Sequence, residues 1–325
     1  MRKLVLLSAF FIMLLVYLTY AFLPVYVSET RTIDIPYGTP TVKIIDTLHR
    51  EGLIRSRLSL ILIHVLRKEK LEAGEYEFSG YVSPFDVYEK LSKGIHKLHR
   101  IVVAEGSDLY DIAELLEKEK VCKKEDFLRY AMSETTSRSY GLSTPTMEGF
   151  LFPDTYLFSK NTHPLKVIDT MYRNFLKKTV DLRPRVAEKG LSIEEWVIVA
   201  SMIEKETFWE NEKPLIAAVI YNRLKKRMKL QIDPTVIYAL KRKGMWEGRL
   251  KKEHLQIDDP YNTYLYFGLP PTPICNPGLS SLKAALEPAN VRYLYFVVDP
   301  KRKRHIFSTT YSQHRRNVAR MRKRR

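Results

Sequence analysis

Residues 193–206 read IEEWVIVASMIEKE. Ser192, just before them, is a good N-cap, and Glu194 and Glu195 fill the first turn, where the helix dipole favours negative charge. From Trp196 to Ile203 every side chain is apolar or small, on all sides of the helix. Such a helix belongs inside a protein, covered all round. The sequence around it supplies the cover. A second apolar helix is predicted over about 214–227. YLYFVV (293–298) reads as a buried strand, and His305–Ser308 as its hairpin partner through the turn 299–303. Residues 99–325 are therefore expected to form a large mixed α/β body. Its basic end, from His314 on, reads as a solvated helix end.

Toward the N-terminus a segment occurs twice. Ile33-Asp34-Ile35-Pro36-Tyr37-Gly38 leads into apolar positions Val42, Ile45 and Leu48. Ile101-Val102-Val103-Ala104-Glu105-Gly106 leads into Leu109, Ile112, Leu115 and Leu116. Each copy predicts a short strand, a glycine turn and an amphipathic helix, with a second helix after it (58–68; 124–131). Between them Ala73–Phe78 alternates like a strand, and Ser83-Pro84 opens a helix. Residues 33–98 are expected to be a small α+β module, and 24–32 a polar linker.

The first three residues are short and cationic. Leu4–Leu23 is an uncharged run of twenty residues, long enough at 1.5 Å per residue to span a hydrocarbon core of ~30 Å. It reads as a transmembrane anchor, with residues 1–3 cytoplasmic and the rest outside by the positive-inside bias. The alternative, a cleaved signal peptide, would have a shorter apolar run and small residues at the cut. The whole chain carries 54 Lys and Arg against 37 Asp and Glu, a net +17. That excess suits an anionic partner. An extracytoplasmic body makes nucleic acid the wrong one, so lipid headgroups or an acidic polymer remain. With 45% hydrophobic residues, 20 Tyr and 14 Phe, the chain is not disordered. Two cysteines, Cys122 and Cys275, build neither a disulfide scaffold nor a thiolate metal site and read as free thiols.

No phosphate loop, dinucleotide fingerprint, serine elbow or histidine metal motif occurs, so no cofactor and no metal are expected. The candidate chemistry is carboxylate chemistry. Glu204 and Glu206 close the apolar helix about 200° apart, so only one of them can face a given cleft. Glu206 follows Met202 and Ile203 and is expected on the buried side; Glu204 is expected to pair outward. Two aromatic, polar loops, 148–158 and 261–271, and the stretch LQIDPT (230–235) have the groups a sugar site uses. Each has a plain structural alternative: aromatics in the core, and Asp233 as an N-cap before Pro234.

EGFLFPDTY (148–156), ASMIEKET (200–207), YNRL (221–224), LQIDPTVIY (230–238), YNTY (261–264), GLPPTPICNPG (268–278), SLKAALEPA (281–289) and YLYFV (293–297) together resemble the YceG-like endolytic murein transglycosylases. The segment 102–118 also looks like the first half of a LysM repeat, a peptidoglycan-binding module, and 33–98 is taken as a LysM-like module. The resemblance implies an α+β chain with a transmembrane helix, that module and a catalytic domain at 99–325. It implies lytic cleavage of the β-1,4 bond between N-acetylmuramic acid and N-acetylglucosamine, with Glu206 catalytic. Asp154, Tyr156, Gln231, Asp233, Asn262 and Tyr264 are the expected substrate-binding residues, with Glu148, Glu204 and Asn222 in support. Partners would be glycan strands, the plasma membrane and glycan synthases (penicillin-binding proteins). A water-using hydrolase and a non-catalytic glycan-binding scaffold are the competing readings.

Overall fold

The computed structural model describes Arg2–Lys323; Met1, Arg324 and Arg325 lie outside the described residues. Two compact units emerge: residues up to His99 together with Leu157–Asn161, and 100–156 together with residues from Thr162 on.

The first unit begins with helix α1 (Arg2–Phe22), which is long and apolar enough to cross a membrane. Ala21 is its one buried residue; Leu4 to Val16 are exposed wherever they are large and apolar. Three residues later strand β1 (Val25–Ile35) begins. The expected polar linker at 24–32 is thus mostly strand. Its charged residues Glu29 and Arg31 lie on an exposed stretch of β1, which is why polarity there mimics a linker. Helices α2 (Thr41–Arg50) and α3 (Arg57–Arg67) follow, then strand β2 (Gly74–Val82), antiparallel to β1, and helix α4 (Pro84–Ser92). Ser83 caps α4 in a reciprocal capping box with Asp86. Alternation places Ile33, Ile35, Tyr76 and Phe78 in one core with Ile44, Ile45, Leu48 and Leu91. Strands β3 (Leu98–Val102) and β4 (Thr155–Ser159) pair with each other.

In the second unit α5 (Leu109–Lys118) and α6 (Lys124–Ala131) complete the repeat seen in the sequence. Gly38 and Gly106 have the same left-handed φ of +80° at the two turns. The segment 102–118, which looks like the first half of a LysM repeat, lies in the second unit. Helices α7 (Glu134–Ser139), α8 (Pro164–Lys178) and α9 (Arg183–Glu188) lead to α10 (Ile193–Glu206). Ser192 caps α10 with Glu195 in a reciprocal box, and every residue from Trp196 to Glu204 is buried. Helices α11 (Lys213–Lys225), α12 (Asp233–Arg242) and α13 (Leu279–Leu286) pack around it. Trp196 Nε1 donates to the carbonyl of Leu282 at 2.8 Å, which pins α10 to α13. Strands β5 (Tyr295–Asp299) and β6 (Arg304–Ser308) form the expected hairpin, and α14 (Tyr311–Arg322) packs on it. β5 is mostly half-buried rather than buried, as a strand of a two-stranded ribbon.

The loop 268–278 is built into the core. Ile274 N–H donates to Ser201 Oγ at 3.0 Å, and Asn276 takes the Leu151 N–H at 2.8 Å while donating to Ser107 O and Glu148. Gly149, at φ +88°, lets this loop close. A Cβ there would meet Pro273 at 2.5 Å and Val197 at 2.9 Å. Both cysteines are free thiols.

Candidate active site

The two acids that end α10 face different surroundings, and Glu204, expected to pair outward, is the more covered of the two. Glu204 is the buried one, 8% exposed, and Glu206 is half-buried. The cover over Glu204 comes from α13, whose preceding Gly278 N–H donates to Glu204 Oε2 at 2.9 Å. Buried Lys213 lies 3.5 Å from the other oxygen. The cavity on that side, about 210 Å³, is lined by Glu204, Glu105, Lys205, Glu210 and Lys213, and Glu206 is not in its wall. Glu204 is therefore a carboxylate held by protein partners on both of its oxygens.

Glu206 is different. Its carboxyl makes no hydrogen bond to any described residue. Burial pushes its carboxyl up to about 8, the negative charge of Asp233 adds to the rise, and the Arg223 guanidinium opposes it. A carboxyl with that value keeps its proton at neutral pH, as a general acid must.

Its neighbours come from three other segments. Arg223, in the last turn of α11, is 8% exposed and tied to backbone carbonyls: Nε donates to Leu294 O at 2.6 Å and Nη1 to Leu230 O at 2.7 Å and Lys229 O at 3.2 Å. Asp233 opens α12 as its first residue. Ile232 takes the cap position, so Asp233 is not the N-cap expected from the Asp-Pro pair. Its side chain is left to accept the hydroxyl of Tyr264 at 2.5 Å. Burial and Asp233 together hold the Tyr264 phenol strongly toward its protonated form. Gln231 stands at φ +51°, a strained value for a residue with a side chain, and that turn is held by its N–H on Thr263 O at 3.0 Å. The exposed Gln231 side chain is thereby fixed beside Arg223.

Four of the expected site residues thus meet: Glu206, Asp233, Tyr264 and Gln231. The others are placed elsewhere. Asn262 is fully buried and spends its amide on Leu255 O, Ile257 O and the Tyr264 N–H; it shapes the loop that presents Tyr264. Asn222 donates to Val291 O and Tyr293 O, fixing the chain just before β5. Asp154 takes Asn174 at 3.0 Å and Lys178 at 3.0 Å, both on α8, which hold its carboxyl down at about 2. Tyr156 is buried beside it, and Asn174 donates to its hydroxyl too. Glu148 is wholly buried; Leu109 N–H, Tyr238 Oη and Asn276 Nδ2 all donate to it, yet burial still pushes it up to about 8. It knits α5, α12 and the 268–278 loop together.

The sequence reading missed Arg223 and a clamp on the segment after Glu206. Glu212, 3% exposed, accepts Thr207 Oγ1 at 3.2 Å and lies 2.7 Å from His305 Nδ1 on β6. Trp209 Nε1 donates to Lys303 O at 2.8 Å. The hairpin thereby fixes the residue next to Glu206. A signal for Arg223 existed: Ile216, Val219, Ile220 and Arg223 fall at i, i+3, i+4 and i+7 on one buried face of α11, which separates this cation from exposed Lys225 and means it needs partners.

A carboxyl held toward its protonated form and without a hydrogen bond to any described residue, beside a fixed guanidinium and a carboxylate–phenol pair, is the equipment that general acid–base chemistry needs. The family model described as YceG-like matches residues 33–320, and the chain belongs to that family. It is 30% identical over 302 residues to the endolytic murein transglycosylase of Bacillus subtilis (strain 168), covering 88% of this chain and 83% of the relative. It is 28% identical over 317 residues to a protein of the same name from Streptococcus pneumoniae serotype 2, covering 89% of this chain and 58% of that longer protein. Among solved structures, a yceG-like protein of Listeria monocytogenes matches with a TM-score of 0.62 at 30% identity, over 89% of this chain and 99% of that one.

Proposed function

We propose that this chain is a lytic transglycosylase of peptidoglycan, held at the outer face of the plasma membrane by α1. The observation that carries the reading is Glu206: a carboxyl that burial and Asp233 hold toward its protonated form, with no hydrogen bond to any described residue, in a chain of the YceG-like family. Glu206 gives its proton to the oxygen that links C1 of the muramic sugar to C4 of the glucosamine. The C1–O bond breaks and positive charge builds on the muramic ring. The carboxylate left behind takes the proton of that sugar's own C6 hydroxyl, whose oxygen closes on C1. The products are a free 4-hydroxyl and a 1,6-anhydro end, and no water is consumed. The proton removed from C6 replaces the one given away, so one side chain serves both steps.

The neighbours have parts in this scheme. Asp233 raises the proton affinity of Glu206, Tyr264 holds Asp233 in place, and Gln231 offers an exposed amide to sugar hydroxyls. With Arg2 and Lys3 inside, the body lies outside the cytoplasm, where nascent strands are made. The enzyme would end such strands, with the penicillin-binding synthases that extend them as its partners. Because β1 starts directly after α1, the anchor has no flexible tether of its own.

Asp233 also favours a second reading, since two neighbouring carboxyl groups are the equipment of water-using glycosidases. Mass spectrometry of digested strands separates the two. Anhydro ends, one water lighter than reducing ends, are expected; reducing ends alone would reject the scheme. The role of Asp233 has its own test in the pH–rate profile. Asp233→Asn removes a charge that raises the Glu206 value, so the protonated acid is lost at lower pH. The basic limb should move down, while burial keeps it above the ordinary carboxylate range. An unmoved limb would mean that Asp233 does not act on Glu206.

A further inference from the structure

Helix α14 carries His314, Arg315, Arg316, Arg320 and Arg322 and no acidic residue. Among the described residues, none of its arginines pairs with a carboxylate, whereas other cations of the second unit do so: Lys241 holds Asp108 and Asp111, and Lys213 lies between Glu204 and Glu210. One face of α14 borders a groove of about 380 Å³, lined by Tyr311, His314, Arg315, Val318, Ala319 and Arg322. The groove adjoins the acid centre through a stack of three groups. The His314 ring lies on Tyr295 at 5.2 Å between centroids and 22° between planes, and the Arg223 guanidinium lies 5.2 Å from the centroid of the same Tyr295 ring. Arg223 in turn acts on Glu206.

We infer that this groove binds the acidic peptides carried by the glycan strand, while Glu206 cuts the strand itself. The chemistry is that of an arginine site for carboxylates: planar, permanently charged forks that take two oxygens at once. Arg315 and Arg322 are seven residues apart, two helical turns, and so about 10 Å apart along the axis. A single phosphate meets only one of them. An extended peptide advances about 3.3 Å per residue, so carboxylates about three residues apart meet both. The methyl groups of Val318 and Ala319 lie between the arginines on the same face and suit the short apolar side chains of such a peptide.

This inference rests on the proposed substrate, and its test is one of binding, so that it fails separately from the cleavage chemistry. The full chain in detergent is titrated with fluorescently labelled glycan strands, either bearing their peptides or stripped of them by an amidase. The intact protein should bind the peptide-bearing strands about tenfold more tightly, the worth of about one charge-assisted hydrogen bond. Arg315→Gln with Arg322→Gln should bind both strand types alike. Arg315→Lys with Arg322→Lys keeps the charge and should retain part of the preference, which a misfolded protein would not. Both arginines are exposed and unpaired, so the fold does not depend on them. Equal binding of both strand types by the intact protein, or a preference that survives the glutamine pair, would overturn the inference. So would a glutamine pair that alters only binding to phosphatidylglycerol vesicles relative to phosphatidylcholine vesicles, since the groove would then face lipid headgroups. Strands that bind with this preference but yield no anhydro ends would leave the groove in place and reject the transglycosylase reading instead.

Discussion

Glu206→Gln should stop the release of anhydro ends, with a fall in rate of more than about a thousandfold. General acid–base catalysis by one group is worth roughly 10²–10⁴, and here one group is asked to act twice. The glutamine is nearly the same shape, so binding of strands should survive. The same substitution should stabilise the protein at neutral and alkaline pH. The folded-state value of Glu206, about 8, lies above the ordinary carboxylate value of 4.5. Stability linked to its proton is fully present below that ordinary value and is lost as pH rises through about 8. Wild type and variant should therefore melt alike near pH 4. The variant should melt higher by pH 8 to 9. Glu148 is shifted in the same direction but is present in both proteins, so the difference isolates Glu206. Full activity in the variant would remove Glu206 from the mechanism. An inactive variant whose melting advantage does not grow with pH would show that the acid is not desolvated.

The parts of the fold that could be read in advance are those fixed by local chemistry. The cap at Ser192, the apolar run to Ile203, the Ser83-Pro84 helix start and the 295–308 hairpin depend on neighbours in sequence. The failures share a different cause. Which of Glu204 and Glu206 is covered depends on Gly278 and α13, more than seventy residues further on. Asn262 is expected to contact sugar because amides suit sugars, and Asn222 to support the site, yet each is consumed by two backbone carbonyls that lack a strand or helix partner. The stretch 24–32 looked like a linker because polarity was weighed above the strand tendency of Val25, Tyr26 and Val27. The same accounting bears on the motifs that carry the family resemblance. Glu148, Gly149 and Asn276 sit in buried packing and hydrogen bonding, so much of that pattern preserves a framework around the acid, and only a few of its positions border the acid itself.

Arg223→Met should be the most damaging substitution for stability that leaves Glu206 in place. Its guanidinium serves three backbone carbonyls, those of Leu294, Leu230 and Lys229, and lies against the Tyr295 ring. Methionine fills the volume but leaves those carbonyls without donors, at roughly 1–3 kcal/mol each where burial is complete. A net loss of about 3 kcal/mol is expected, seen as a melting point lower by roughly 6–12 °C for a body of this size. Arg223→Lys should recover little, because one ammonium cannot reach carbonyls in two segments as a planar fork does. The electrostatic effect is separable from this loss. Arg223 opposes the rise in the Glu206 value, so its removal should carry the basic limb of the pH–rate profile to higher pH, opposite to Asp233→Asn. Two charges of opposite sign acting on one carboxyl must give shifts of opposite direction if that carboxyl is the acid being read. Shifts in the same direction, or none for either variant, would mean that the titration governing the rate belongs to another group.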